Sequence, residues 1–278
     1  MLTTAQVDHY ATFGFVVLSD LLAEHATALR AEVDTAIRDA YAATYDERVI
    51  DGISGHYLPM ASRRTPTSAA LVCDDPRLID AAEQLLGNPV VPECPEGVLY
   101  FADAGWHNDD GIGVRGVKYA AYLDPLTAAN GALRLLPGSH HPEQNLRLTD
   151  YRSRMGHLES AGETVDFQAS YPGYVADTRP GDVIAFDLHT WHASAGGRDR
   201  LAWTIVYQAC PETDDEVERT RRSMTDSFEQ AFRGFDRDRY PIWRDWLAGA
   251  ASRPQRTAVI ERIRAAGVFD LPGAELGW

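Results

Sequence analysis

Trp106-His107-Asn108-Asp109-Asp110 follows the apolar run Gly97-Val98-Leu99-Tyr100-Phe101, and the rest of the chain is organised around this stretch. In an extended segment, residues i and i+2 point to the same side. His107 and Asp109 can therefore contact one metal ion from the end of one strand. Because an H-x-D motif also recurs by chance, the prediction of a metal site depends on a third ligand from elsewhere in the chain.

The segment at 179–194 supplies this third ligand, because an apolar strand there again ends in a Trp-His pair. We assign His192 as the second imidazole, with His189, three residues earlier, as the alternative. Two imidazoles and one carboxylate with open positions are the ligand set of a non-haem Fe(II) oxygenase. His140 and His141 lie in a turn, and we expect them to serve packing or hydrogen bonding.

Short apolar runs separated by Asn-Gly and Pro-Gly turns fill the middle of the chain and predict a mainly β sandwich or jelly-roll barrel. The predicted strands cover 15–18, 97–101, 116–123, 132–136, 174–178, 182–187 and 201–208. Helical periodicity predicts helices before Gly14, over 21–43 and from Pro76 to Gly87, and a capping box at 213–216 opens the C-terminal helices. Residues 44–72 are predicted to be irregular, either as a lid or binding loop or as a plain surface connection.

The length of 278 residues fits a single domain. We divide it into a helical N-terminal part at 1–95, a β core at 96–210 and a helical C-terminal extension at 211–278. The net charge of −15 disfavours a nucleic-acid partner. The N-terminus does not resemble a signal peptide, and no apolar run is long enough to span a membrane. The three cysteines form neither a disulfide framework nor a zinc pattern, which predicts a cytoplasmic location.

Three motifs follow one another in a specific order along the chain. The segment Asn-Gly-Ala-Leu-Arg-Leu-Leu-Pro-Gly-Ser-His at 130–140 lies between Trp106-His107-Asn108-Asp109 and Trp191-His192-x-Ser194. This combination resembles the phytanoyl-CoA dioxygenase family, and the similarity covers most of the chain up to about Tyr207. The resemblance implies an Fe(II)- and 2-oxoglutarate-dependent oxygenase on a double-stranded β-helix, a jelly-roll, cupin-like core with flanking N- and C-terminal α-helices. It makes His107, Asp109 and His192 the catalytic iron ligands.

The resemblance also implies a binding site for 2-oxoglutarate. Arg200, at the start of a strand, matches the arginine that pairs with the C5 carboxylate of this cosubstrate, and Arg198 is the alternative. Ser194 matches a hydroxyl that contacts the cosubstrate. Lys118 is the single lysine of the chain and lies on the strand after the H-x-D motif. It either binds a carboxylate of 2-oxoglutarate or an anionic group of the substrate, or it points into solvent.

These residues imply oxidation of a C–H bond of a small-molecule metabolite in specialised biosynthesis, with O2 consumed and succinate and CO2 released. The carboxylate of Asp109 favours hydroxylation over halogenation, since related halogenases have a small residue there. Desaturation, epimerisation and a non-catalytic β-helix that binds a ligand or metal remain alternatives, whereas a zinc hydrolase leaves Arg200 unexplained. We expect a polar or anionic substrate, because Arg63, Arg64 and Arg134 are candidate partners for an acidic group. The oligomeric state is not predicted.

Overall fold

Two antiparallel β-sheets pack against each other in the computed structural model, which describes residues 1–46, 55–61, 64–109, 113–160, 173–232 and 254–267. The described helices are α1 Thr4–Phe13, α2 Ala26–Ala40, α3 Pro66–Asp74, α4 Pro76–Leu86, α5 Pro142–Ser160, α6 Asp214–Phe232 and α7 Pro254–Ala265. The described strands are β1 Phe15–Leu18, β2 Gly55–Pro59, β3 Val90–Pro92, β4 Glu96–Tyr100, β5 Ala104–His107, β6 Gly116–Tyr122, β7 Leu133–Leu135, β8 Tyr174–Ala176, β9 Val183–Asp187, β10 His192–Ser194 and β11 Arg200–Ala209.

The larger sheet has the strand order β1-β9-β6-β11-β4-β2, and β3 pairs with β11 beside this path. The smaller sheet has the order β5-β10-β7-β8. The part of the chain before residue 96, which we predicted to be helical, therefore also contributes the three strands β1, β2 and β3. This is the jelly-roll architecture with flanking helices that the sequence predicts. The division of the chain into one domain with three parts stays a prediction.

Two apolar layers hold the fold together, and side chains alternate between them. On β6, Tyr119 and Ala121 join the core between the larger sheet and the helices, which also contains Leu29 and Val33 of α2. Ala120 and Tyr122, the alternate residues, join the core between the two sheets. Because the side chains of a strand alternate in direction, the strands of the larger sheet present one face to the helices and the other to the interior between the sheets.

The ends of the N-terminal helices follow from their sequence. Thr3 and Gln6 form a capping box at the start of α1, and Gly14 ends this helix in a left-handed conformation with φ of 83°. Asp75 accepts a hydrogen bond from the backbone of Arg77 at the start of α4, and Gly87 ends it with φ of 64°. These two glycines were predicted as stop signals, and both predictions are confirmed.

The prediction for residues 44–72 was wrong in part, because this region contains strand β2 and helix α3. β2 pairs with β4 along its whole length, so the partner strand and not local periodicity fixes its extended conformation. Helix α2 begins at Ala26 rather than Leu21, since residues 21–25 form turns. The seven predicted strands are all present. Arg63 lies outside the described residues.

None of the helices in the described part of the chain combines the length and the apolar character that crossing a bilayer requires.

Candidate active site

Three side chains from two neighbouring strands of the smaller sheet converge at one point between the sheets. His107 on β5 and His192 on β10 are directly opposite each other in the strand register, and their ring centroids lie 4.3 Å apart. The Oδ1 atom of Asp109 lies 3.7 Å from the Nε2 atom of His107 and 3.7 Å from that of His192. This arrangement presents two imidazole nitrogens and one carboxylate oxygen to a single metal-sized position.

Backbone carbonyls hold both imidazole rings in the orientation that a metal ligand needs. The Nδ1 atom of His107 donates to the carbonyl oxygen of Gly105 at 2.7 Å, and that of His192 donates to Thr190 at 2.9 Å. A carbonyl can only accept, so Nδ1 carries the proton in each ring and Nε2 keeps its lone pair for a metal. Local chain conformation thus sets the tautomer of both histidines.

The segment before His192 is fastened to the N-terminal part of the chain. Thr190 donates its side-chain hydroxyl to the carbonyl oxygen of Gly14 at 2.9 Å, and the backbone N–H of Asp187 donates to the same oxygen at 2.8 Å. A Cβ atom on Gly14 would lie 2.5 Å from Oγ1 of Thr190 and 2.5 Å from a ring nitrogen of His140. The end of α1 therefore supports the residue whose carbonyl orients His192.

Lys118 is paired with the carboxylate of the ligand set. Its Nζ atom donates to Oδ2 of Asp109 at 2.9 Å, which leaves Oδ1 turned towards the two imidazoles. Burial alone would raise the pKa of Asp109, but Lys118, His192 and His107 outweigh this effect and hold that pKa below its usual range. Burial lowers the pKa of His192 to about 4, so its ring is neutral at pH 7 and able to act as a ligand.

Arg200 lies at the opposite end of the interior from Lys118 and is almost fully buried, with 2% of its surface exposed. Its guanidinium donates to the carbonyl oxygens of Gly131 at 3.1 Å and Ala102 at 2.7 Å, and it lies 5.3 Å from the ring centroid of Tyr100. The Nε atom is buried and has no hydrogen-bond partner among the described residues. A buried donor of this kind fits the carboxylate of a bound dianion.

The neighbours of Arg200 support this assignment. Ser194 is buried on β10, two residues after His192, and alternation directs both side chains to the same face of the strand. Arg198, the alternative, is exposed and forms a surface ion pair with Asp103 at 3.4 Å. The structure thus places Arg200 and Ser194 in the interior and Arg198 on the surface.

The three other histidines that the sequence analysis considered lie apart from the ligand set. The Nδ1 atom of His189 donates to Oδ1 of Asp187 at 2.9 Å, and the side chain of His189 is one-third exposed in the turn before β10. His140 and His141 contact the carbonyl oxygens of Ala11 and Thr12 at the end of α1. These two fasten the turn at 137–141 to the N-terminal helix, as predicted, and His192 rather than His189 joins His107 and Asp109.

A family model provides the decisive comparison. The model of the phytanoyl-CoA dioxygenase family matches residues 10–200, which include every residue of the ligand set and Arg200. The chain belongs to the phytanoyl-CoA dioxygenase family. Membership confirms the predicted class of enzyme, an Fe(II)/2-oxoglutarate-dependent oxygenase, and its two cofactors, iron and 2-oxoglutarate. The donor set and the unpaired Nε of Arg200 fit these two groups.

Individual relatives agree with this family. An ectoine dioxygenase of Bordetella parapertussis is 29% identical over 224 residues, which cover 69% of this chain and 70% of the relative. The fold is similar to that of EctD from S. alaskensis, solved with 2-oxoglutarate and 5-hydroxyectoine, with a TM-score of 0.55 and 23% identity over 75% of this chain and 77% of that one. It is also similar to SnoK, a carbocyclase from nogalamycin biosynthesis, with a TM-score of 0.57 and 18% identity over 75% and 85% of the two chains.

One residue that faces the same interior was missed by the sequence analysis. Glu96 begins β4. Side chains two residues apart on a strand point the same way, so Glu96 shares a face with Val98 and Tyr100, and this spacing would have predicted its direction. The Pro-Glu-Cys-Pro-Glu-Gly context at 92–97 reads as a polar turn and hides this alternation.

Proposed function

We propose that His107, Asp109 and His192 hold Fe(II), and that the enzyme hydroxylates a C–H bond of a small-molecule metabolite in specialised biosynthesis, with O2 consumed and succinate and CO2 released. The observation that carries this proposal is the convergence of the two Nε2 atoms on Oδ1 of Asp109, at 3.7 Å each. When bound, the iron and 2-oxoglutarate supply the oxidative chemistry. The protein's own part is to hold, orient and enclose them.

Arg200 and Ser194 are proposed to bind the distal carboxylate of 2-oxoglutarate. Arg200 carries a permanent positive charge in a buried position and retains one buried N–H donor without a partner among the described residues. Arg200 pairs with Tyr100 of β4 in the strand register. It therefore lies beyond the ligand set, at the end of the interior where β11 begins. Burial of this charge is costly unless an anion pairs with it, which supports a dianionic cosubstrate at this position.

Lys118 is proposed to orient Asp109, because it occupies one carboxylate oxygen and directs the other towards the imidazoles. Coordination through one oxygen leaves positions on the metal for a chelating cosubstrate and O2. The contact of Lys118 with 2-oxoglutarate or substrate that the sequence suggested stays a prediction. Hydroxylation, desaturation and ring-forming or epimerising outcomes all begin at a C–H bond beside the same ligand set. Product mass separates hydroxylation, which adds an oxygen atom, from epimerisation, which leaves the mass unchanged, and from desaturation or ring formation, which both remove two hydrogens.

An anaerobic titration tests the proposed ligand set. Wild-type protein with Fe(II) and 2-oxoglutarate is expected to develop the visible charge-transfer absorption of a chelated 2-oxo acid. His192→Ala and Asp109→Ala are expected to abolish this absorption, and His189→Ala to retain it. If His189→Ala lost the absorption and His192→Ala retained it, His189 would be the second imidazole ligand instead of His192.

A further inference from the structure

Glu96 points into the interior between the sheets, on the face that carries Lys118 and Arg200. The residues that alternate with it face the helices: a Cβ atom on Gly97 would lie 2.9 Å from Val33 of α2, and Leu99 belongs to the core between helices and sheet. Glu96 itself is acted on electrostatically by Lys118 and Asp109, which both face the interior. The carboxylate of Glu96 therefore faces the same interior as the ligand set.

The strand register places Glu96 at the end of this interior away from Arg200. Strand β11 lies between β4 and β6, and its residue Thr204 pairs with Glu96 on one side and with Ala120 on the other. Arg200 is four residues away along the same strand, or about 13 Å. The cosubstrate is proposed to occupy the Arg200 end, which leaves the end that carries Glu96 for the primary substrate.

Glu96 is enclosed by protein and has no polar partner among the residues that the structure describes. It retains accessible surface within its enclosed position, and it makes no hydrogen bond or ion pair with any residue in the described part of the chain. Lys118 is within electrostatic range, but its Nζ donates to Asp109. Burial raises the pKa of Glu96, and Lys118 offsets only part of this effect. An enclosed carboxylate without a donor is costly, so a ligand that supplies a donor gains binding energy.

Other enclosed carboxylates of the same protein do have donors. Glu93 accepts hydrogen bonds from the side chains of Gln208 and Ser223. Glu32 accepts from the backbone N–H groups of Thr67 and Ser68 at 2.8 Å each. Burial raises the pKa of both residues, yet each is satisfied by the fold. Glu96 differs from them in facing the same interior as the ligand set, and this contrast points to a ligand rather than to the fold.

We propose that Glu96 binds a positively charged nitrogen of the primary substrate, so that the enzyme acts on a small amine, amidine or zwitterion. This inference rests on the proposed function. Tyr57, opposite Val98 in the register, faces the same interior, and its ring lies 5.9 Å from that of Tyr100. Aromatic faces beside a carboxylate form a favourable environment for a cation. The charge of Lys118 is already matched by Asp109, which leaves Glu96 as the anion on this side.

This substrate class differs from the anionic one that the arginines suggested. Arg134 lies on β7 between Leu133 and Leu135, which both belong to the core between the sheets. Alternation therefore directs Arg134 to the outer face of the smaller sheet. Arg64 is exposed, and Arg63 lies outside the described residues.

Binding to the loaded enzyme tests the inference. Protein saturated with Mn(II) and 2-oxoglutarate is titrated in a calorimeter with a panel of small amines, amidines and zwitterions, including ectoine and L-proline. Each compound is paired with a neutral or N-acetylated counterpart that lacks the positive charge. At least one cationic compound is expected to bind about tenfold or more tightly than its counterpart. Equal or undetectable binding across all pairs overturns the inference.

Variants at Glu96 test whether this residue causes the preference for cationic compounds. Glu96→Gln keeps the shape and removes the charge, and it is expected to lose about tenfold to a hundredfold in affinity for the preferred cation. The affinity for 2-oxoglutarate is expected to change by less than about twofold, because Arg200 is about 13 Å away. Glu96→Asp is expected to recover part of the loss, and Glu143→Gln, on the surface of α5, serves as control. Unchanged cation binding in Glu96→Gln overturns the assignment to Glu96.

The two proposals fail in distinguishable ways. Absence of the charge-transfer absorption with Fe(II) and 2-oxoglutarate contradicts the proposed ligand set. Normal absorption without preference for cationic compounds contradicts only the role of Glu96.

Discussion

The Nζ atom of Lys118 and the Oδ2 atom of Asp109 lie 2.9 Å apart, and this pair joins the larger sheet to the carboxylate two residues after His107. Both side chains are about one-fifth exposed. Asp109 raises the pKa of Lys118 against the opposing effect of burial, so the pair is ionised at neutral pH. The single lysine of the chain thus holds one oxygen of the carboxylate that we propose as a metal ligand.

Replacement of this lysine is expected to weaken metal binding. Lys118→Met removes the donor that holds Oδ2 of Asp109, and we expect the dissociation constant for Fe(II) to rise by about tenfold to a hundredfold. Lys118→Arg retains a cationic donor and is expected to recover part of this affinity. Anaerobic competition with a chelator measures both constants. If Lys118→Met keeps its Fe(II) affinity and raises only the KM for 2-oxoglutarate, the lysine binds the cosubstrate instead.

The arginine at the start of β11 is expected to determine the affinity for 2-oxoglutarate. Arg200→Ala removes a buried cation, and we expect the KM for 2-oxoglutarate to rise by roughly 30-fold or more. Arg198→Ala is the matched control, because Arg198 is an exposed arginine two residues before Arg200. The KM of this variant for 2-oxoglutarate is expected to stay within about twofold of the wild-type value. Steady-state succinate formation measures both values. A larger effect at Arg198 would reverse the assignment.

Gly14 is expected to affect the metal site although it lies far from it in the sequence. Gly14→Ala introduces a Cβ atom 2.5 Å from Thr190 and into a left-handed backbone conformation. We expect a loss of about 1–3 kcal/mol in the free energy of unfolding and weaker Fe(II) binding, because Thr190 orients His192. Gly87→Ala is the control, since Gly87 is also left-handed but has open space around its Cβ position. If Gly14→Ala and Gly87→Ala changed Fe(II) binding equally, an effect of Gly14 on His192 through Thr190 would be excluded.

The last described helix is expected to contribute to the stability of the whole fold. Arg256 on α7 is 6% exposed, and its Nε atom donates to Asp74 at the end of α3 at 2.8 Å. Arg256→Ala leaves a largely buried carboxylate without this cation, and we expect a loss of about 3–5 kcal/mol in the free energy of unfolding. Arg147→Ala removes an exposed i,i+4 pair on α5 and is expected to change stability little. Urea denaturation of both variants measures the difference, and equal midpoints would show that α7 adds no stability through this pair.

The sequence predicts the strands that carry long apolar runs, but not the short strands that hold the ligand set. β5 and β10 have four and three residues, too few for a periodic pattern, and their extended conformation depends on pairing with each other. The H-x-D spacing and the Trp-His pair nevertheless select the three side chains that the structure brings together, because the chemistry of the side chains is local. Their convergence depends on the register between strands that are far apart in sequence.

Helix α5 and the environments of Lys118 and Glu96 mark the limits of sequence reasoning. α5 is mostly polar, and of its apolar side chains in the described part only Leu148 packs against a buried cluster, so it lacks the apolar stripe that predicts a helix. Alternation places Lys118 on the same face of β6 as Ala120 and Tyr122, but it cannot show that this face is the interior or that the partner is Asp109 rather than a ligand. The pairing of Lys118 with Asp109 requires the two sheets to pack face to face, which is a property of the tertiary structure.

The ligand set and the proposed anchor of 2-oxoglutarate belong to different sheets. His107 and His192 lie on the smaller sheet, whereas Arg200 lies on the larger one. A cosubstrate held at both ends would therefore fasten one sheet to the other, and its binding energy would add to the resistance of the barrel against opening. Without iron or 2-oxoglutarate, the two sheets would then separate locally more often. Cofactor supply would set not only the rate of turnover but also the lifetime of the protein in the presence of proteases.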